Sequence, residues 1–274
     1  MAFLGKKLAI SIPDTIMEEK ESPREKTAKL GTIARACAIY GVDIIEVFRD
    51  DRGRGEGPLV RRVLEYLETP QYLRRRLYPL DESLKYAGIL PPLRIPSHKA
   101  KVSLDRVGVG DIREGVANDD GTIDIGLDVN ARLAEKVSAG KRVTAKIVTV
   151  RPLAAALATR EEAGEYWGYN VEEKACAGVL DDKRFEIKIA TSRLGQPLGS
   201  VVESLAGAIK RATGVKLIFG SPSRGLYQIF GQKLVDEVDF SVNLFPEQHV
   251  ETVRTEEAIF AGLALVGVAS VGKA

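Results

Sequence analysis

The sequence predicts an α/β protein in which a small β-barrel is inserted into a domain with a parallel sheet. A strand at Lys7–Ile12, a helix and a dense apolar strand at Val42–Phe48 open the chain, and this order is typical of a parallel sheet covered by helices. The same alternation resumes near Phe185. Between these regions, short alternating runs separated by Gly and Asp indicate the strands of a barrel.

The first helix has a clear start and a clear end. Ser22-Pro23-Arg24-Glu25 combines an N-terminal capping box with proline at the first helical position. Gly41 ends the helix after a series of apolar residues at helical spacing. A second helix is predicted over Pro58–Leu67, so that a strand–helix–strand–helix unit begins the protein.

A proline-rich segment marks the predicted domain boundary. Leu90–Pro96 contains three prolines in seven residues, which no regular element accommodates. Beyond it, Val116–Leu127 carries Asp120-Gly121 between alternating apolar residues, a strong hairpin pattern, and Arg142–Val150 alternates as well. We therefore predict an OB-like barrel over 97–175, inserted into an α/β domain formed by 1–96 and 176–274.

The last hundred residues contain the remaining strands and helices of the α/β domain. Strands are predicted over Phe185–Ala190, Val215–Phe219 and Val238–Leu244, and a helix over Pro197–Thr213. The final helix begins near Thr255. Its stretch Ala258–Val271 is too short to cross a bilayer of roughly 30 Å and too apolar to face water. It is expected to pack against the sheet, a partner subunit or both.

Composition limits the possible functions only weakly. The 40 Lys and Arg residues nearly balance 38 Asp and Glu residues, which neither requires nor excludes RNA as a ligand. Cys37 and Cys176 are far apart, and only two histidines are present, so a structural zinc site is not expected. We expect reduced cysteines in a cytoplasmic protein without a secretory signal.

Three loops are predicted to meet at the carboxyl edge of the parallel sheet, where ligands bind in open α/β folds. The first is the Gly-rich Gly220–Gly225, the second is Asn243–Gln248, and the third, His249–Arg254, precedes the last helix. Together they indicate a pocket of nucleotide size. The alternative is that Gly220 and Pro222 only form a turn.

Familiar catalytic and phosphate-binding motifs are absent from the sequence. It contains no G-x-x-x-x-G-K-[ST] motif, and Gly108–Arg113 lacks the third glycine of a dinucleotide fingerprint and does not open a helix. Neither H-E-x-x-H nor G-x-S-x-G occurs, so nothing supports a metalloprotease or a serine hydrolase.

Three segments resemble motifs of the SPOUT superfamily, in particular its archaeal and eukaryotic branch of RNA methyltransferases. Gly31–Asp43 is similar to the first SPOUT motif, in which an Arg on a helix precedes Gly-Val. Leu84–Leu93 and Thr252–Ala258 are similar to segments specific to the branch. The resemblance extends over essentially the whole chain, in the same order, and includes the inserted β domain, which is OB-like in that branch.

This resemblance implies a knotted α/β domain that binds S-adenosyl-L-methionine largely through the backbone of its loops. It also implies a homodimer assembled through the knot and the C-terminal helix, which suits the apolar last helix, and it implies neither a metal nor a membrane. Carried over by position, the cofactor-binding residues are Gly220, Ser221, Pro222, Asn243, Leu244, Phe245, Gln248, Thr252, Val253, Thr255 and Glu256.

Arg35 and Arg254 are the predicted catalytic residues, because arginine can hold a phosphate and lower the pKa of an acceptor group by its field. Arg35 lies opposite the apolar stripe of its helix, so it could instead be a solvated surface charge. Arg254 could instead pair with Glu256 or Glu257. The family motif tends to carry Asn where this chain has Lys29, a departure that bears on a ribose-methylating mechanism.

RNA is the expected substrate, and four residues are predicted to contact it. Arg74, Arg75 and Arg76 form a basic run that could also be a solvated helix face. Trp167 could stack on bases, as aromatics of OB barrels do, or belong to the barrel core. The alternative functions are a non-catalytic RNA-binding factor in ribosome assembly that keeps the fold, and an α/β protein that binds another nucleotide.

Overall fold

The computed structural model describes residues 5–17, 20–51, 55–79 and 81–271. In chain order the elements are β1 (Lys7–Pro13), α1 (Pro23–Ile39), β2 (Ile44–Phe48), α2 (Gly57–Glu68), α3 (Gln71–Leu77), β3 (Ile112–Ala117), β4 (Thr122–Asp124), β5 (Ala131–Leu133), β6 (Arg142–Val150), β7 (Leu153–Leu157), β8 (Asn170–Lys174), α4 (Cys176–Leu180), β9 (Ile187–Pro197), α5 (Leu198–Arg211), β10 (Gly214–Ile218), α6 (Leu226–Phe230), α7 (Lys233–Glu237), β11 (Phe240–Asn243) and α8 (Thr255–Ser270).

These elements form two compact units. The larger unit contains the described residues of Ala2–Leu67, Ser83–Pro92 and Tyr169–Ala274, and the smaller one contains those of Glu68–Glu82 and Leu93–Gly168. The limits of the smaller unit differ at both ends from those of the predicted barrel domain, 97–175. Strand β8 pairs in parallel with β2, and therefore the chain returns to the sheet before residue 176. Helix α3 belongs to the smaller unit, where the Tyr72 hydroxyl donates to the Glu114 carbonyl at 2.7 Å.

The larger unit is built on a six-stranded sheet with the order β11-β9-β10-β1-β2-β8. Every neighbouring pair of strands is parallel. All residues of β2 and β10 are buried, as expected of strands that are covered on both faces. Because the strands are parallel, the loops that follow β9, β10 and β11 leave the sheet at the same edge.

Helix α1 begins and ends where the sequence predicts. The Ser22 hydroxyl accepts a hydrogen bond from the Glu25 backbone N–H, and the Glu25 carboxylate accepts one from the Ser22 N–H at 2.7 Å. These two bonds satisfy N–H groups that have no partner inside the helix. Beyond the other end, Gly41 has a φ of +66°, a backbone conformation that glycine adopts without strain.

Helix α8 packs against α1 and α5 through one apolar face. Ile259, Leu263 and Val266 are buried on this face. A Cβ atom at Gly262 would lie 2.9 Å from Cδ2 of Leu217 in β10, so glycine permits the close approach of helix and strand. Val268 is nevertheless 77% exposed. The described residues thus leave part of this apolar helix uncovered.

The smaller unit contains a closed barrel with the strand order β3-β4-β5-β7-β6. Strands β5 and β7 are parallel, and the other neighbouring pairs are antiparallel, which is the arrangement of a five-stranded Greek-key barrel of OB type. The predicted hairpin is confirmed: Gly121 has a φ of +79° in the turn between β3 and β4. Ile123, Ile125 and Ile147 fill the barrel interior.

Candidate functional site

A cavity of about 1050 Å³ lies at the carboxyl edge of the parallel sheet in the larger unit. Its walls come from 191–194 within β9, from the segments after β10 and β11, from the first turn of α8 and from one side of α1. The structure brings all of the predicted cofactor-binding residues to this cavity, namely Gly220, Ser221, Pro222, Asn243, Leu244, Phe245, Gln248, Thr252, Val253, Thr255 and Glu256.

The first loop, Gly220–Gly225, is a tight turn closed by its own hydrogen bonds. The Ser221 N–H donates to the Arg224 carbonyl at 2.9 Å, and the Arg224 N–H donates to the Ser221 hydroxyl at 3.0 Å. A Cβ atom at Gly220 would lie 3.0 Å from the Arg224 carbonyl oxygen. A side chain at this first position would therefore press on the backbone of the turn.

The polar side chains of the second loop hold the loop together. Asn243 accepts from the Phe245 N–H at 3.0 Å and donates to the Arg193 carbonyl at 3.2 Å. Gln248 donates to the carbonyls of Val250 and Glu251 at 2.9 and 3.1 Å. Since these side chains are used within the protein, the loop offers a ligand mainly its backbone groups and its apolar surface.

The start of α8 places one acidic and one basic side chain at the cavity. Oε2 of Glu256 is buried and has no hydrogen-bond partner among the described residues. Such an atom costs free energy unless a donor or a cation meets it. Glu256 is therefore the carboxylate of the cavity that is best placed to receive a positively charged or hydrogen-bonding ligand group.

Arg254 immediately precedes α8, lines the cavity and is exposed. Glu257 accepts from the Arg254 backbone N–H at 2.9 Å, and within the described chain the guanidinium makes no ion pair with Glu256 or Glu257. A cation at a helix N-terminus is disfavoured by the helix dipole. The position of Arg254 thus does not stabilise the helix, which leaves its charge available for a ligand.

One side of α1 forms a further wall that the sequence did not predict. Glu25, Ala28, Lys29 and Thr32 line the cavity at the i, i+3, i+4, i+7 spacing of a single helix face. Lys29 is buried, and its ammonium donates to the Glu21 carboxylate at 2.8 Å and to the Ile16 carbonyl at 3.1 Å. In the sequence, Lys29 is notable only as a departure from the family motif.

The two predicted catalytic arginines are placed differently. Arg254 lines the cavity, whereas Arg35 is not among its lining residues. Arg35 is half-buried near the end of α1, and its guanidinium donates to the Pro92 carbonyl at 3.2 Å. The structure thus gives Arg35 a contact with the proline-rich segment of the larger unit. Of the two predicted arginines, Arg254 is the one at the cavity, where the exposed Arg193 of β9 also lies.

Trp167 does not have the exposure that base stacking requires. Only 3% of the residue is exposed, and its indole N–H donates to the Glu114 carboxylate at 2.7 Å in the smaller unit. Burial would raise the pKa of Glu114, but the charge of Arg142 and a hydrogen bond from Thr144 hold it below its usual value. The prediction that Trp167 stacks on RNA is corrected: it belongs to the core of this unit.

The basic run on α3 is partly solvated. Arg75 and Arg76 are exposed, and Arg76 donates to the Ala117 carbonyl at 3.2 Å. Arg74 is half-buried and donates to the Thr69 carbonyl at 2.8 Å. Arg75 and Arg76 can therefore still meet a phosphate, whereas Arg74 contributes to the local fold.

The described residues provide neither a metal site nor a membrane-spanning helix. No group of three or more His, Cys, Asp and Glu side chains is arranged to hold a metal ion. No described helix is long and apolar enough to cross a membrane. Cys37 is buried and burial raises the pKa of its thiol, which makes it unreactive.

An α/β unit with a ligand cavity at its sheet edge, joined to an OB-type barrel, is the architecture of a SPOUT-type RNA methyltransferase, as the sequence predicts. The chain belongs to the family described as "Putative RNA methyltransferase", whose profile matches residues 7–266. The predicted family and fold class are thereby confirmed.

Several relatives resemble the chain over nearly its full length. An uncharacterised protein of Halobacterium salinarum is 35% identical over 93% of this chain and 96% of its own length. The 28S rRNA (uridine-N(3))-methyltransferase of Mus musculus is 31% identical over 97% of this chain and 77% of its own length. The human protein of the same name is 28% identical over 94% and 77%.

Proposed function

We propose that the protein is an S-adenosylmethionine-dependent RNA methyltransferase and that its acceptor is N3 of a uridine in ribosomal RNA. The observation that carries this proposal is the cavity itself, which collects every residue that the family resemblance assigns to cofactor binding. The choice of uridine N3 rests on the mouse and human relatives, which are named for that reaction.

The chemistry of the cavity suits S-adenosylmethionine. When bound, this cofactor supplies a methyl group that its sulfonium charge has already activated. The buried, unpartnered carboxylate oxygen of Glu256 fits a ligand that carries positive charge and hydroxyl donors. The first and second loops fit a ligand recognised through backbone groups, because their polar side chains are engaged with the protein.

The remaining task for the protein is to orient the acceptor and to favour its deprotonated form. The imide nitrogen of uridine must lose its proton to solvent before it can accept a methyl group. A nearby cation lowers the pKa of such a group, because it stabilises the negative charge that remains. Arg254, whose exposed guanidinium lies at the cavity beside the start of α8, is the residue that we propose for this cation.

The experiment that tests the proposal is methyl transfer to ribosomal RNA that lacks the modification. The purified protein is incubated with this RNA and isotopically labelled S-adenosylmethionine, and the nucleosides are identified by mass spectrometry. We expect labelled 3-methyluridine. Label in another nucleoside would reject the choice of acceptor, and binding of cofactor and RNA without transfer would favour a non-catalytic factor in ribosome assembly.

The homodimer predicted from the family resemblance is also proposed, with the uncovered apolar surface near α8 as support. Val250 and Val268 are 58% and 77% exposed. Val250 also lines an apolar hollow together with Phe245, Val253 and Phe260. Surfaces of this kind are typical of subunit contacts. Light scattering at micromolar concentration is expected to give twice the mass of the chain, and the mass of a single chain would reject the proposal.

The α3 arginines are proposed to contact RNA phosphates. Arg75→Ala and Arg76→Ala should each flatten the salt dependence of RNA binding by about one unit of slope or slightly less, the change expected when one phosphate contact is lost. Affinity for S-adenosylhomocysteine should not change, since neither residue lines the cavity. Fluorescence anisotropy over a series of salt concentrations measures the slope. An unchanged slope in both variants would place the RNA elsewhere.

A further inference from the structure

Arg224 connects the first loop of the cavity to the end of β2. Its guanidinium forms an ion pair with Asp50, two residues beyond that strand, and its second terminal nitrogen donates to the Gln228 carbonyl at 3.0 Å. In the sheet, β1 lies between β10 and β2. The side chain of Arg224 therefore joins the loop that follows β10 to the segment that follows a strand two positions away.

Asp50 is buried and held in place, so it is a fixed anchor. Its side chain is 2% exposed, and its carboxylate accepts from the Thr15 hydroxyl at 3.3 Å. Its backbone N–H donates to the Asp14 carboxylate at 2.9 Å. A buried carboxylate needs a charged partner, since an unpaired charge in the interior is costly. Arg224 supplies that partner for Asp50.

The backbone of Arg224 also shapes the turn that lines the cavity. Its carbonyl accepts from the Ser221 N–H and its own N–H donates to the Ser221 hydroxyl. The same residue therefore fixes the turn through its backbone and ties the turn to β2 through its side chain. A loop that binds a ligand through its backbone N–H and C=O groups must hold those groups in fixed positions.

We propose that Arg224 and Asp50 form a positioning pair that holds the first loop in the shape required for cofactor binding. The consequence for the cofactor rests on the proposed function, whereas the effect on the loop does not. Neither residue is a catalytic residue. Loss of the pair should raise the dissociation constant for S-adenosylhomocysteine and loosen the loop.

Two measurements on Arg224→Ala, Asp50→Asn and the double variant test the pair. In hydrogen exchange without cofactor, peptides covering 219–228 should exchange faster in both single variants, because the loop opens more often. In calorimetry, the dissociation constant for S-adenosylhomocysteine should rise about tenfold in each single variant. It should rise by the same factor in the double variant, because all three variants lose the same interaction. Arg224→Lys, which keeps the charge, should recover part of the affinity.

Arg61→Ala is the matched control. It removes ion pairs of an exposed arginine with Glu65 and Glu173, and Arg61 does not line the cavity. It should leave both measurements unchanged. Should Arg224→Ala fail to fold, Asp50→Asn and Arg224→Lys carry the test. Unchanged exchange in folded variants, or additive losses in the double variant, would overturn the proposal. If the unmodified protein does not bind the cofactor product, the proposed function fails, and exchange still decides whether the pair holds the loop.

Discussion

Arg254→Ala should lower methyl transfer to RNA by about 10²- to 10³-fold, the range found when a group that stabilises transition-state charge is removed. The guanidinium lies at the cavity, is exposed and makes no ion pair with the acids of its own helix. Its loss removes the cation that we propose for the deprotonated acceptor. Affinity for S-adenosylhomocysteine should change only a few-fold, because the first and second loops remain intact.

Single-turnover rates with bound RNA separate this role from a loss of RNA affinity. Arg254→Lys retains the charge without the planar fork of arginine, and it should recover a part of the rate. Arg35→Ala provides the comparison, because Arg35 does not line the cavity and contacts Pro92 instead. A rate for Arg254→Ala within threefold of the unmodified protein would mean that a group other than Arg254 stabilises the deprotonated acceptor.

Gly220→Val should weaken binding of S-adenosylhomocysteine by about 100-fold or more, equivalent to some 3 kcal/mol. A Cβ atom at this position would lie 3.0 Å from the Arg224 carbonyl oxygen and 3.3 Å from Cα of Gly225 and the Leu226 nitrogen. These are backbone atoms of the turn, which cannot move independently. The added side chain would therefore open the turn that lines the cavity.

Gly225→Ala is the matched control for this prediction. Gly225 also lines the cavity, but a Cβ atom there meets no atom within 4 Å. We expect Gly225→Ala to bind the cofactor product like the unmodified protein, and Gly220→Ala to fall between it and Gly220→Val. Circular dichroism of each variant confirms that the fold is kept. Equal affinities for Gly220→Val and the unmodified protein would show that Gly220 serves only as a turn residue.

The loops of the cavity could be predicted from the sequence because their position follows from strand order. Parallel strands end at one edge, so the segments after Val215–Phe219 and Val238–Leu244 had to meet there. The wall formed by α1 could not be predicted in the same way. Where a helix lies relative to a sheet edge depends on packing between distant segments, and a lysine such as Lys29 has no local pattern that marks it as a lining residue.

Trp167 and Lys216 are two side chains whose partners could not be predicted from the sequence. The aromatic run around Trp167 fits either base stacking or a core, and the choice depends on Glu114, which lies 53 residues away and accepts its N–H. Lys216 lies in the buried strand β10, and no local pattern identifies the acid that its ammonium meets. Its partner is Glu46 of β2 at 2.7 Å, and both side chains are fully buried. Pairs of this kind are set by tertiary structure.

The domain limits depend on pairings that local patterns do not reveal. Strand β8 lies at the edge of the sheet, and its residues are exposed or half-buried. Its short polar sequence therefore looks like a strand of the preceding barrel domain. Its partner β2 is more than 120 residues earlier in the chain. The proline-rich segment was correctly predicted to be irregular, yet residues as early as Glu68 already belong to the smaller unit.

The central claim is that the cavity at the sheet edge binds S-adenosylmethionine, and titration calorimetry with S-adenosylhomocysteine tests it most directly. The unmodified protein should bind one molecule per chain with a dissociation constant in the micromolar range, and Gly220→Val should release no binding heat under the same conditions. Absence of binding by the unmodified protein at high micromolar ligand would contradict the claim, as would undiminished binding by the variant.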